Sequence, residues 1–332
     1  MTALTARSLG RWLCALLLVG LSSRTAVAET DTSRNPIFLL LTTPRTGSTA
    51  FLRLMDETGI FHSFNEPFML PWASTSVPER SAQVFGRKGA SYDDVWARLN
   101  EAAQTKPVFV KEMMFTVRDY LLAHPEIVRN PAVRFLFLVR DPYSSLKSYA
   151  QIARVGPFER KHAFNFRQMF ELFRHVDDRS PNRATLVEIE PFTAEVRTRA
   201  PALFRALGLP GDRLIYEFPE RTAEEVAKRF NDPKVPEQFT IWHEGASTNN
   251  RIAPIRAASV VDDGGRPEDP FAWVEDERMK RAMTSIAREG ARYVPLLRTH
   301  PREDRAQRPP GETHDASGAG HARARRPSRL ER

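Results

Sequence analysis

Two short segments bring together the residue types that hold anions. The first is Thr42-Thr43-Pro44-Arg45-Thr46-Gly47-Ser48-Thr49-Ala50-Phe51. Gly47 lets a backbone approach a ligand closely, Thr46, Ser48 and Thr49 offer hydroxyls, and Arg45 supplies a fixed fork of charged donors. A helix starting at Ser48 would add its first free N–H groups and the positive end of its dipole. The second segment is Arg140-Asp141-Pro142-Tyr143-Ser144-Ser145-Leu146-Lys147-Ser148-Tyr149. Here Arg140 precedes an N-cap acid and a first-turn proline, and Ser148 follows on the same helix. Phosphate- or sulfate-like groups are the natural ligands of both. The plain alternatives are a strand-to-helix turn with a Ser cap, an Arg140–Asp141 ion pair and a solvent-facing Ser148. Turn chemistry alone asks for Gly and Ser but not for the Pro44-Arg45 pair.

Proton chemistry points to Glu66 in Phe64-Asn65-Glu66-Pro67-Phe68. Aromatic and proline neighbours can strip water from a carboxylate and make it a better base. A surface acid, or a partner for an arginine, is the competing reading. In Val110-Lys111-Glu112-Met113, Lys111 is a strand-end cation whose plain partner is Glu112, itself a second candidate base.

Other nucleotide loops are disfavoured. Gly47 stands alone where the dinucleotide fingerprint needs three spaced glycines. The triphosphate loop's Gly-Lys-Ser/Thr ending is absent as well. The Phe135 to Val139 run ends in Arg140 rather than in a metal-holding Asp, so magnesium–ATP chemistry is poorly supplied. His62, His124, His162 and His175 have no zinc-ligand spacing. The Phe164, Phe166, Phe170 and Phe173 cluster reads as core.

The elements that must position these segments follow from apolar runs. Ile37 to Leu41 reads as a strand buried on both faces, as do Val108 to Val110 and Val133 to Val139. Thr185 to Ile189 adds another strand. Helices are expected over Ser48 to Glu57, Tyr143 to about Ala153, Phe164 to Val176, Ala194 to Leu207 and within Pro270 to Leu297. Buried strands alternating with helices predict an α/β fold of three layers, α/β/α, around a central parallel sheet. Residues 209–269, rich in Pro, Gly and charge, are read as irregular.

The 332 residues are 41% hydrophobic, enough for a sizeable core, and a mean hydropathy of −0.43 excludes a multi-span membrane protein. Residues 1–28 and 301–332 each carry +3, which leaves +2 of the net +8 for residues 29–300. A body that nearly neutral has no broad cationic face, so nucleic acid is not expected as a partner. Arg7 and Arg11, then Trp12 to Leu21, then Ala26-Val27-Ala28 follow the order of a signal peptide over 1–28, too short for a stable membrane span. That predicts a secreted or periplasmic protein; with a later start it would be cytoplasmic. Cys14, the only cysteine, would be lost with the leader. Residues 301–332, Arg-, Pro- and Gly-rich, read as a disordered basic tail.

The loop from Thr43 to Phe51 resembles the 5′-phosphosulfate loop of sulfotransferases that use 3′-phosphoadenosine 5′-phosphosulfate (PAPS), in the Pro-Arg form closer to carbohydrate and bacterial members. Arg140, Asp141, Pro142 and Ser148 resemble the same family's 3′-phosphate motif. The resemblance covers Ile37 to Leu209 and implies that residues 29–300 are a sulfotransferase domain with a fold of the P-loop nucleotide-binding type. It implies a metal-independent transferase that moves the sulfuryl group of PAPS to an acceptor hydroxyl, on a carbohydrate or another alcohol. Arg45, Thr46, Gly47, Ser48, Thr49, Arg140 and Ser148 would bind PAPS. Arg45 would also stabilise the leaving phosphate, Lys111 would steady the sulfuryl oxygens, and Glu66 would be the base. Met113 stands where cytosolic members carry a catalytic His. Ile241 to Arg251, including His243 and Glu244, falls where relatives cover the nucleotide with a flap. Sugar, lipid, phenol and tyrosine hydroxyls stay open as acceptors, and no oligomeric state is assigned. The competing functions are a kinase-like enzyme with a degenerate loop and a secreted, non-catalytic nucleotide- or anion-binding protein.

Overall fold

β1 (Ile37–Thr42) is buried at every position. Its alternate side chains serve opposite faces: Ile37, Leu39 and Leu41 join one apolar cluster, Phe38 and Leu40 another. Only an inner strand covered on both sides needs such a run. The structure, a computed structural model, describes residues 34–86, 89–153, 162–234, 249, 251–255, 271–272 and 274–299. The expected leader, the expected tail, His243 and Glu244 lie outside these residues.

The chain continues through α1 (Ser48–Glu57), β2 (His62–Asn65), α2 (Met69–Ser76), α3 (Pro78–Phe85), α4 (Tyr92–Ala102), β3 (Val108–Met113), α5 (Met114–Ala123) and α6 (Pro125–Arg129). Then follow β4 (Val133–Val139), α7 (Pro142–Ala153), α8 (Phe166–Arg179), β5 (Thr185–Glu188), α9 (Ile189–Ala194), α10 (Val196–Ala206), α11 (Ala223–Arg229) and α12 (Glu277–Thr299). The strands form one sheet in the order β2-β3-β1-β4-β5, and every pairing is parallel. Helices cover both faces, as the alternation of buried runs and amphipathic segments requires.

Phe51, Leu52 and Met55 of α1 pack on the Phe38 and Leu40 face; Leu146 and Tyr149 of α7 pack on the opposite one. Each fully buried Leu or Phe contributes roughly 1.5–3 kcal/mol. The expected phenylalanine cluster is core: Phe164, Phe166 and Phe173 are buried, and Phe170 packs against them. The closing helix α12 lies close enough to this layer that a Cβ at Gly290 would sit 2.7 Å from Phe166 and Pro142.

Three differences from the sequence reading stand out. β3 runs on through Lys111 and Glu112 to Met113, so two charged residues occupy buried strand positions. β2 is a strand of four residues with no alternation to announce it. Within the supposedly irregular stretch, α11 opens on a capping box in which Thr222 accepts from the Glu225 N–H and Glu225 from the Thr222 N–H. That Thr-x-x-Glu pattern was visible in the sequence. Among the described residues no helix is long and apolar enough to cross a membrane.

Candidate active site

β1 is followed by a connection to β2 on one side of it, whereas β4, its other neighbour, leads to β5 on the far side. The helices in those connections, α1 and α7, lie on opposite faces. The tips of β1 and β4 therefore diverge at the switch point of the sheet, the crevice where open α/β folds bind ligands. Thr42, last in β1, is registered with Leu138 of β4, and its hydroxyl donates to the Leu138 carbonyl at 3.0 Å. The same hydroxyl lies 2.5 Å from that of Thr46, which is fully buried, so the turn is pinned from inside.

Gly47 has φ 81° and caps α1 with no side-chain hydrogen bond to the first turn. A side chain there is doubly excluded, by the left-handed backbone and because a Cβ would sit 2.5 Å from Ile255. Ser48 and Thr49 are buried in the first turn.

Arg45, with φ 62°, stands in the left-handed region that only glycine enters freely. Its Nε donates to the Ser148 hydroxyl on α7 at 3.2 Å. Arg140, just past β4, donates from Nη1 to the Arg45 carbonyl at 2.8 Å. Burial first, and the Arg140 cation second, hold the Arg45 guanidinium below its ordinary value. Burial likewise lowers Arg140, against Glu190 and Asp141. Glu190 lies 3.9 Å from Arg140 and accepts the Asp141 N–H at 2.8 Å; burial keeps its carboxyl above the usual range. Two half-buried guanidiniums thus lie beside the N-terminus of a helix, the kind of place that receives an anion. Asp141 does not pair with Arg140 as the plain alternative had it. It caps α7, accepting from Ser144 N–H at 2.8 Å.

Glu66 and Lys111 are brought together elsewhere on the same edge. β2 and β3 are registered with Asn65 opposite Lys111, so Glu66 emerges beside the lysine. Lys111 bonds Glu66 Oε1, and Lys234 bonds Oε2 at 2.6 Å. Glu66 is 2% exposed and Lys111 fully buried. The partner of Lys111 is thus Glu66 rather than Glu112, and among the described residues Glu66 pairs with Lys111 and Lys234. Lys111 lies opposite Leu40, two positions inside the tip of β1, so it stands about 7 Å along the strand from the loop level. Burial pulls the Lys111 ammonium below its ordinary value despite Glu66. Burial also opposes the charge of Lys234, but Asp232 and Glu66 outweigh it and raise that ammonium.

Glu112 points to the other face. It accepts from the Phe68 N–H at 2.7 Å, the Met113 N–H at 2.8 Å and the Thr116 hydroxyl at 2.7 Å. Burial, with Glu66 nearby, pushes its carboxyl up to about 8. A cavity of about 280 Å³ opens beyond Pro67 and Pro233, lined by Phe64, Leu70, Val95 and Arg98.

Sequence reasoning did not find Lys234, Asp232, Glu190 or Arg53. Arg53 is fully buried in α1 and donates to the carbonyls of Pro219 and Asn249, both at 2.6 Å. It sits at a helix position whose pattern gave no hint of burial.

No family model matches the chain, and no curated protein sequence is similar to it. Solved structures are similar to it at low identity. A sulfotransferase from Alicyclobacillus acidocaldarius is 13% identical, with 65% of this chain and 97% of that one covered and a TM-score of 0.39. The sulfotransferase domain of the Synechococcus PCC 7002 olefin synthase is 16% identical, over 79% of this chain and 98% of that domain, with a TM-score of 0.43. The sulfotransferase domain from the curacin biosynthetic pathway is 14% identical, over 77% and 98%, with a TM-score of 0.35.

Proposed function

We propose that the chain transfers the sulfuryl group of PAPS to an acceptor hydroxyl. The observation that carries this reading is the convergence of Arg45, Arg140 and Ser148 at the tips of two adjacent strands. One nucleotide bearing a phosphate at each end of its ribose can then engage both segments. In the reaction, the acceptor oxygen forms a bond to sulfur as the bond from sulfur to the 5′-phosphate oxygen breaks. The electron pair leaves on that phosphate, facing Arg45 and the first turn of α1. The acceptor's proton passes to a carboxylate, for which Glu66 is the choice. Lys111, bonded to Glu66 through one of its three N–H groups, is the candidate to steady the sulfuryl oxygens.

Calorimetry with adenosine 3′,5′-bisphosphate against magnesium–ATP tests the reading. Tighter, metal-independent binding of the bisphosphate, together with sulfate transfer from PAPS to a panel of hydroxyl compounds, is expected. Preference for magnesium–ATP would overturn it in favour of a kinase-like enzyme. The burial of Glu66 favours a second reading, a nucleotide-binding protein without turnover, and tight bisphosphate binding with no transfer would select it.

The leader and tail keep their expected roles as proposals: export by residues 1–28 and a solvated tail over 301–332. Detection of a mature chain starting at Glu29 by mass spectrometry tests the first.

A further inference from the structure

A turn from Glu66 to Phe68 joins β2 to α2, and its backbone N–H groups can be followed one by one. The Glu66 N–H donates to the Lys111 carbonyl at 2.7 Å, and the Met69 N–H to the Glu66 carbonyl at 3.1 Å. Pro67 has no N–H to place. The Phe68 N–H donates to Glu112 Oε2 at 2.7 Å. Consecutive residues of β3 therefore hold the turn at both ends, Lys111 through its backbone and Glu112 through its side chain.

The other oxygen of Glu112 serves a different helix. Oε1 accepts the Met113 N–H at 2.8 Å and the Thr116 hydroxyl at 2.7 Å, at the start of α5. Neither Phe68, the N-cap of α2, nor Met113, the N-cap of α5, supplies a side-chain cap. One fully buried carboxyl thus satisfies backbone donors at two helix starts. The two helices also meet without it, where the rings of Trp72 and Phe115 pack edge to face with centroids 4.9 Å apart.

The turn needs holding. Glu66 has φ 51°, and among the described residues the other non-glycine positions with positive φ are Arg45 and Asn231. Pro67 adds to the difficulty, because a residue before proline favours extended backbone. Strain of that kind persists where the surroundings over-determine a geometry, and it gathers at working sites. Of the bonds that hold the turn's backbone, the one to Glu112 comes from a side chain. Substitution can therefore remove it without altering Glu66 itself.

We propose that Glu112 is a positioning residue, which sets the Glu66–Phe68 turn against the tip of β3 and so fixes where Glu66 stands. The inference rests on the sulfotransferase reading with Glu66 as base. Glu112 need not touch substrate, since neighbouring strand residues point to opposite faces and its carboxyl lies away from the Lys111 side. When the turn moves, the Glu66 side chain moves with it.

The experiment compares Glu112→Met, Glu112→Gln, Thr116→Val, Glu66→Gln and Glu66→Gln/Glu112→Met for sulfate transfer from PAPS, bisphosphate affinity and melting. Glu112→Met should lower kcat by about 10- to 100-fold, the usual cost of a misplaced catalytic group, with KM for PAPS and the bisphosphate Kd nearly unchanged. Glu112→Gln keeps the shape and one acceptor oxygen, so its loss should be smaller. Thr116→Val takes a hydroxyl from the same carboxyl but leaves the Phe68 bond. It should change kcat by no more than about twofold, the tolerance for independent sites, even where it melts lower. In the Glu66→Gln background, Glu112→Met should again change kcat by no more than about twofold, since residues acting as one unit are non-additive. If Glu112→Met does not fold, Glu112→Gln takes its place in the single and double variants. Unchanged kcat in the folded variant, an equal loss in Thr116→Val, or losses that multiply in the double variant would overturn the inference while leaving the sulfotransferase reading intact. Full activity of Glu66→Gln removes the base and this inference with it. An unaltered protein that transfers no sulfate to any acceptor ends both readings.

Discussion

The Arg140 guanidinium donates to the backbone carbonyl of Arg45 across 2.8 Å, so the residue closing one strand tip fixes the residue opening the loop of the next. The two arginines are 95 positions apart in sequence and act as one structural unit.

Replacing Arg140 by Ala should weaken adenosine 3′,5′-bisphosphate binding by about 1.5–3 kcal/mol, the worth of a charged hydrogen bond. Titration calorimetry measures it, and a melting curve checks that the fold survives. An affinity equal to that of the unaltered protein would remove Arg140 from the nucleotide site.

Gly47→Ala meets both a φ of 81° and the Ile255 side chain at 2.5 Å. It should cost roughly 1–3 kcal/mol of stability from backbone strain alone. Denaturant unfolding reads that cost. Bisphosphate binding should fall with it, since the first turn of α1 shifts to relieve the clash.

Glu66→Gln keeps the shape of the side chain but loses the charge that holds Lys111 and Lys234. Bisphosphate affinity should persist, while sulfate transfer should slow by about 10²–10⁴-fold, the range for a lost general base. Transfer at the original rate would pass the role of base to another group, with Glu112 next in line.

Glu112 makes stability depend on pH in a direction its burial dictates. Its folded value of about 8 lies above the ordinary 4.5, so between those limits the folded chain keeps a proton that the unfolded chain releases. Stability contributed by this group is thus complete below about pH 4.5, declines as pH rises towards 8 and is flat beyond. Protonated, the carboxyl can donate to Thr116, whose hydroxyl turns to the Met113 carbonyl at 2.6 Å. Denaturant titrations at pH 5, 7 and 9 should show the decline in the native chain and a smaller one in Glu112→Gln. Equal slopes would place the proton elsewhere.

What could be read from one dimension was local. Ile37 to Leu41 and Val133 to Val139 announced inner strands because a strand covered on both faces must be apolar throughout. Arg45, Gly47 and Ser48 could be nominated as anion ligands because their loop lies within ten residues and its turn chemistry is written in neighbouring side chains; Arg140 and Ser148 were nominated through their resemblance to a 3′-phosphate motif. Those segments establish the α/β class and nominate a phosphate-type ligand before any contact is known. The short strand β2 left no periodic trace, and α11 was overlooked although its capping box was in view.

Tertiary structure alone decided who meets whom. The order β2-β3-β1-β4-β5 sets Arg45 against Arg140, and the register of Asn65 with Lys111 sets Glu66 beside its lysine. Lys234 reaches Glu66 from 168 positions away, and Arg53 reaches the Asn249 carbonyl from 196. No spacing rule spans such distances. These partnerships arise only when packing of the whole core fixes strand order and edge, and excludes the water that would otherwise solvate each charge separately.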